Sequence, residues 1–406
     1  MNILKKIYCR IFQFCFKVSI PLLPYYNPVI LKKFDDIPAV LKEKKISRLL
    51  LVTDRGVRKI GLTQKLETLL SENGIEVTVF DGVVSNPTVE NVEDAKDLYL
   101  TNNCQALIGF GGGSAIDCAK ATGARIANPK RSIIDMAGIL KVFKKIPLLF
   151  AIPTTVATLI TDSLTKRKYM ISDFPLIPKY AVLDPETTRT LPKSITAYSG
   201  VDVLVHAVEA YIGNSTTPKT RHQALEATRL VFENLKNAYE DGNNMKAREN
   251  MMWASYLAGC AFTVSYVGYC HAVAHSLGGK YNTHHGLANA VLIPYVLEAY
   301  GDKIHKQLKE LAISAGLVSE NTPKDKASEI FIQAIKDLNK QMNIGAKLPE
   351  VKKEDIRELA YMAEKESNPV YPVPVLMGVE ELEQFFYDVL EENETNLTQK
   401  GELVHA

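Results

Sequence analysis

Between residues 46 and 185, short β-like runs alternate with helical patterns, and this alternation limits the chain to few folds. SRLLLVTD is followed by a helix-period segment through QKLETLLSENG, then IEVTVFDG, NVEDAKDLYLTN and ALIGFGGG. LLFAIPTT and YAVLDP continue the series, each strand ended by proline. Strands that read as unbroken apolar runs separated by helices predict a parallel sheet with helices on its faces. From Pro192 onward the texture changes to long helix-period segments with few β-branched runs, such as SGVDVLVHAVEAYIG and RHQALEATRLVFENLKNAYEDG. The predicted fold class is therefore α/β: an N-terminal parallel-sheet domain followed by an all-helical domain. The expected domains are residues 1–190 and 191–406, with DPETTRTLP marking the boundary.

Composition excludes several functions. A chain of 406 residues that is 46% hydrophobic and 23% charged is that of an ordinary globular protein. A net charge of +2 gives no field that implies nucleic acid or an acidic partner, so the expected partners are small molecules. Six cysteines lie scattered without a C-x-x-C pair, which predicts reduced thiols and a cytoplasmic location. Cys270 adjoins His271 but reads as a small buried hydrophobe. About the first thirty residues form an apolar, aromatic segment interrupted by Arg10, Gln13 and Lys17 and broken by Pro21 and Pro24. That pattern is too short for a spanning helix and lacks the small-residue cleavage site of a signal peptide. It predicts an amphipathic helix packed on the body or on a second subunit, with contact at a membrane surface as the lesser alternative and no stable insertion.

Six of the eight histidines, His206, His222, His271, His275, His284 and His285, fall within eighty residues of the helical half. Asp202 and His206 are four apart in an apolar helical context, so both side chains leave one face, as chelation requires. His271 and His275 repeat that spacing. Any one of these histidines alone reads as a hydrogen-bonded interior residue. Together with Asp202 between Val201 and Val203, a carboxylate that burial would leave uncompensated, they point to a divalent cation. A second signal is GFGGGSAIDCAK at residues 109–120, a glycine cluster after an apolar run and before a helix. Such glycines let backbone approach a phosphate at a helix start, although a tight structural turn reads the same way and the strict G-x-G-x-x-G pattern is absent. Asp54, ending LLLVTD, suits either an adenosine ribose hydroxyl, favouring NAD over NADP, or a helix N-cap.

These residues resemble the iron-containing (group III) alcohol dehydrogenases along nearly the whole chain. SGVDVLVHAVEAYIG is similar to the family's metal segment, and CHAVAHSLGGKYNTHHGLANAVLIPYV to the segment that supplies two further histidines. The resemblance implies Asp202, His206, His271 and His285 as ligands of Fe2+, with Zn2+ possible on the same donors, and His275 as a residue near substrate and nicotinamide that relays a proton. It places Gly111, Gly112, Gly113, Ser114 and Asp117 around the pyrophosphate of NAD, with Asn86 beside it and Asp54 on the ribose. Thr154, Thr155, Thr158 and Lys168 follow as further cofactor contacts. It implies a homodimer and hydride transfer between nicotinamide and a small alcohol, diol or aldehyde, the metal acting as Lewis acid. Two departures stand out. Where the family's cofactor loop reads like PTTAGTGSE, Pro153-Thr154-Thr155 runs directly into VATLITD, and His284 precedes His285 as a competing imidazole. The rivals are another superfamily member, such as a glycerol dehydrogenase or dehydroquinate synthase, and a catalytically impaired member whose shortened loop leaves it a binding or interaction protein.

Overall fold

In the computed structural model, residues 1–84, 87–154, 160–161, 168–169 and 171–391 are described. Six parallel strands form the main sheet: β1 (Val29–Leu31), β2 (Arg48–Val52), β3 (Glu76–Phe80), β4 (Ala106–Gly111), β5 (Leu148–Pro153) and β6 (Tyr180–Val182), in the order β1-β6-β5-β4-β2-β3. The unbroken apolar runs follow from burial on both faces. Leu49 and Leu51 of β2 join Ile37 and Leu41 of α2 (Ile37–Glu43) and Leu66 and Leu70 of α4 (Leu62–Glu72). Leu50 and Val52 point the other way, onto Val92 and Ala95 of α5 (Val89–Thr101) and Cys118 and Ala119 of α6 (Gly113–Ala127). The five strands β2–β6 coincide with the runs read from sequence; β1 does not. It is a three-residue edge strand among prolines, held by Val29 N–H on the Lys179 carbonyl and by Leu183 N–H on the Leu31 carbonyl.

Helices α7 (Lys193–Ile212), α8 (Pro218–Glu240), α9 (Met245–Ser265), α10 (Tyr269–Tyr281) and α11 (His285–Tyr300) build the second half with α12 (His305–Ser314), α13 (Lys324–Gln341), α14 (Ile356–Ser367) and α15 (Val379–Val389). Residues 200–212 of α7 are all buried, so this helix is apolar on every side except where it carries Asp202, His206 and Glu209. It is the axis of the half, and α11 rests directly on it. At Gly286 a Cβ would meet the Tyr198 carbonyl oxygen of α7 at 2.4 Å, so only glycine lets the first turn of α11 approach this closely.

The amphipathic segment predicted over about thirty residues is a helix only over α1 (Ile3–Ser19), because Pro21 and Pro24 stop it. It packs on the helical half: the Arg10 guanidinium donates to the carbonyls of Val373 and Pro374 at 2.7 Å each, and Gln13 donates to the Tyr371 carbonyl at 2.7 Å. All six cysteines are free thiols. Among the described residues, no single helix is long and apolar enough to cross a membrane.

The α7–α11 approach carries a prediction. Gly286→Ala forces the first turn of α11 away from the Tyr198 carbonyl and lowers stability by about 1–3 kcal/mol. Denaturant midpoints check this, and an unchanged midpoint contradicts the tight contact.

Candidate metal centre and cofactor cleft

On α7, Asp202, His206 and Glu209 occur at i, i+4 and i+7, one face of the helix, and all three are buried. His206 Nδ1 lies 2.8 Å from the Asp202 carbonyl oxygen, which can only accept, so the proton of this imidazole sits on Nδ1. Glu209 accepts the backbone amides of Gly268 and Cys270 at 2.8 Å each. It therefore stands as an acceptor for His271 Nδ1 as well, 2.6 Å away. Both rings are thus held with bare Nε2 atoms, and those two nitrogens face each other at 3.0 Å. Two lone pairs at that distance repel unless a proton or a metal cation is shared between them.

The remaining donors converge on the same place. His285, the first residue of α11, brings Nε2 to 3.7 Å from Asp202 Oδ1, and His271 Nε2 is 3.8 Å from that oxygen. Ligand atoms of Asp202, His271 and His285 all lie within 4.8 Å of one another. Burial pushes the Asp202 carboxyl above its ordinary range and the imidazoles of His206 and His271 below theirs, which leaves neutral rings with lone pairs to give. Burial also pushes Glu209 up to about 7, against the pull of the amides it accepts. Donors of one carboxylate and three imidazoles, with no thiolate, suit a divalent first-row ion. Cys270 Sγ instead donates to the Asn289 carbonyl, and burial raises its thiol well above the usual range.

Two residues of this cluster escaped the sequence reading. Glu209 orients His271, and Asn289, one turn beyond His285, donates to Asp202 Oδ1 at 2.7 Å. Their only sequence signal is helical spacing from Asp202 and from His285. Of the other histidines, His222 is exposed on α8, and the exposed His284 has its ring 5.2 Å from that of Tyr198 while the His285 ring turns to Asp202. His275, one turn past His271, has Nδ1 2.6 Å from Glu366, whose same oxygen accepts the Tyr371 hydroxyl at 2.7 Å.

A cleft of about 900 Å³ joins this cluster to the end of the sheet. One end is lined by Asp202, His206, His271, His275 and His285, the other by Asp54, Gly112, Gly113, Ser114, Asp117 and Lys120. Gly112 is the N-cap of α6 with no side-chain cap, so the positive end of that helix faces the cleft. Gly111 has φ +148°, and a Cβ there would meet Ala115 Cβ at 2.9 Å and Asp54 Oδ2 at 3.2 Å. Asp54 caps α3 (Arg55–Lys59) through Val57 N–H at 2.9 Å. The cap reading of this acid holds, and its side chain also borders the cleft. Thr154 is buried behind the loop, its amide on the Gly111 carbonyl at 2.8 Å. The backbone of Lys168 pairs with Thr161, and its side chain lies outside the described residues, as do Asn86, Thr155 and Thr158.

The cleft thus joins a helix start able to receive a phosphate to a buried histidine-carboxylate cluster able to hold a divalent metal. Comparison with known proteins gives the class. The family model for "Iron-containing alcohol dehydrogenase" matches residues 30–185, and that for "Fe-containing alcohol dehydrogenase family, C-terminal" matches residues 196–389. The 1,3-propanediol dehydrogenase of Citrobacter freundii is 36% identical over 365 residues, covering 87% of this chain and 93% of that protein. Alcohol dehydrogenase 4 of Saccharomyces cerevisiae (strain YJM789) is 38% identical over 353 residues, covering 84% and 90%. Among solved structures, an alcohol dehydrogenase from Oenococcus oeni superposes with a TM-score of 0.86 at 30% identity, covering 90% of this chain and 100% of that one. The crystal structure of a 1,3-propanediol oxidoreductase gives 0.85 at 33%, covering 90% and 98%. The chain belongs to the iron-containing alcohol dehydrogenase family and has its fold, an N-terminal Rossmann-like half followed by a helical half.

The outer partner of His271 yields a second prediction. Glu209→Gln leaves helix α7 intact but removes the carboxylate that orients the ring, and divalent-metal affinity falls about 10–100-fold. Competition against a chelator measures it; unchanged affinity means that Glu209 serves the fold alone.

Proposed function

We propose that this protein is a metal-dependent, NAD-linked alcohol dehydrogenase, working also as an aldehyde reductase, on a small alcohol or diol. One observation carries the reading: two imidazoles locked with bare nitrogens 3.0 Å apart, beside a buried carboxylate, in the cleft that the glycine loop opens into. Asp202, His206, His271 and His285 would hold the ion. Fe2+ is the proposed metal, with Zn2+ fitting the same donors. When bound, the ion supplies a Lewis acid for substrate oxygen, and the nicotinamide accepts or returns a hydride. The chain's own residues do the rest. Gly111, Gly112, Gly113, Ser114 and Asp117 receive the pyrophosphate at the start of α6, with Asn86, Thr154, Thr155, Thr158 and Lys168 as further proposed cofactor contacts. His275, with its Nδ1 proton turned to Glu366, keeps Nε2 as the basic nitrogen that takes the alcohol proton and passes it towards solvent.

In the proposed division of labour, residues 1–190 bind nucleotide and residues 191–406 hold the metal. The protein is assigned to the cytoplasm, in keeping with six unpaired thiols, and to a homodimer, as the family resemblance implies. The silent alternative rested on the shortened run after Thr155; similarity to dehydrogenases over 84–87% of the chain and the convergence of Asp202, His271 and His285 favour the enzyme.

Two experiments test these roles. His206→Ala loses the metal, whereas His275→Ala retains both metal and NADH and turns over about 10²–10⁴-fold more slowly. Elemental analysis, NADH fluorescence titration and alcohol oxidation assays separate the two variants. Equal metal loss from both overturns the assignment, and a metallated wild type that fails to bind NADH overturns the dehydrogenase reading. Asp54→Asn preserves the cap of α3 but removes the charge that would repel a ribose 2′-phosphate, so the preference for NADH over NADPH narrows about tenfold. An unaltered preference places the ribose elsewhere.

A further inference from the structure

The family match begins at residue 30, so α1 stands outside it, and its outer surface is unlike that of a soluble helix. One side is fixed to the body: Cys9 and Gln13 are buried, and the Phe16 ring meets Tyr266 edge-on at 5.0 Å. The opposite side carries Ile3, Leu4, Ile7, Ile11, Phe14 and Val18, each at least half exposed, with Leu4 at 75% and Phe14 at 66%. At 3.6 residues per turn these side chains fill an arc of about 100° that contains no charged residue. Leu22, 85% exposed, extends the apolar strip past the helix end. A soluble helix turns this stripe inward; here the stripe faces out while the helix is latched by Arg10 and Gln13.

The charges beside the strip select its partner. By the same helical spacing Lys6 and Lys17 line one edge of the apolar arc, beside the latched Arg10. Six basic residues and no acidic one precede Asp35. A second copy docked antiparallel through this face would set the same basic edge against itself, whereas anionic lipid headgroups complement it. We propose that α1 is an interfacial helix that seats the enzyme on an anionic lipid bilayer, its apolar face at the headgroup–acyl boundary and its lysines among the headgroups.

Flotation of the full metal-loaded chain with phosphatidylcholine vesicles, with or without phosphatidylserine, tests this. The wild type floats with the phosphatidylserine vesicles at low ionic strength and less at high ionic strength. The double variant Ile7→Asp, Phe14→Asp, on the solvent side of the helix, loses about tenfold or more in partitioning with an unchanged thermal midpoint. Lys6→Glu with Lys17→Glu, a second test that leaves the apolar face intact, reduces partitioning comparably. No flotation of the wild type, or equal flotation with and without phosphatidylserine, overturns the proposal. So does a smaller particle mass for the Asp variant in light scattering, which makes the strip an interface between copies.

Discussion

The helical half is organised around an electrostatic conflict that a bound cation resolves. His206 and His271 each spend their Nδ1 proton on an acceptor fixed by the fold, the Asp202 carbonyl and the Glu209 carboxylate, and so present bare nitrogens to each other at 3.0 Å. Beside them the Asp202 carboxylate is buried with one amide donor, Asn289, on Oδ1. An uncompensated charge in such a place costs several kcal/mol. A divalent ion held there would convert these penalties into ligand bonds, which accounts for three polar residues on one face of so apolar a helix as α7.

The sheet contributes by position. Its parallel strands end on one side, where Asp54 after β2, Gly112 and Gly113 after β4 and Pro153 at the end of β5 come together, the usual place for a ligand in a doubly wound fold. The helix start at Gly113 supplies positive potential there, and the cleft runs from it to the metal donors. Gly286 sets the other wall: without close contact between α11 and α7, His285 would not reach the Asp202 carboxylate. Fold and site thus depend on close approaches that only glycine permits.

Much of this was legible in the linear sequence, for physical reasons. Five strands showed as apolar runs because both faces of the sheet are covered, and β1 did not, because three residues between prolines carry no periodicity. Asp202 and His206 were visible as a chelating pair because helical spacing is local. Glu209 was not: the amides and imidazole that define its role lie 59 to 62 positions away, and no local pattern announces them. The pairing of His275 with Glu366 spans 91 positions and was equally hidden. The choice between His284 and His285 turned on which side chain faces inward at the start of α11, a matter of backbone direction that sequence leaves open.

The central claim is that one divalent ion binds to three imidazoles and a carboxylate in this cluster. Iron K-edge absorption of anaerobically reconstituted protein reads that coordination directly. The account predicts one iron per chain, with nitrogen and oxygen neighbours, the multiple-scattering pattern of imidazole and no sulfur. A sulfur shell, which would implicate Cys270, or a spectrum unchanged in the His206→Ala protein, would contradict it.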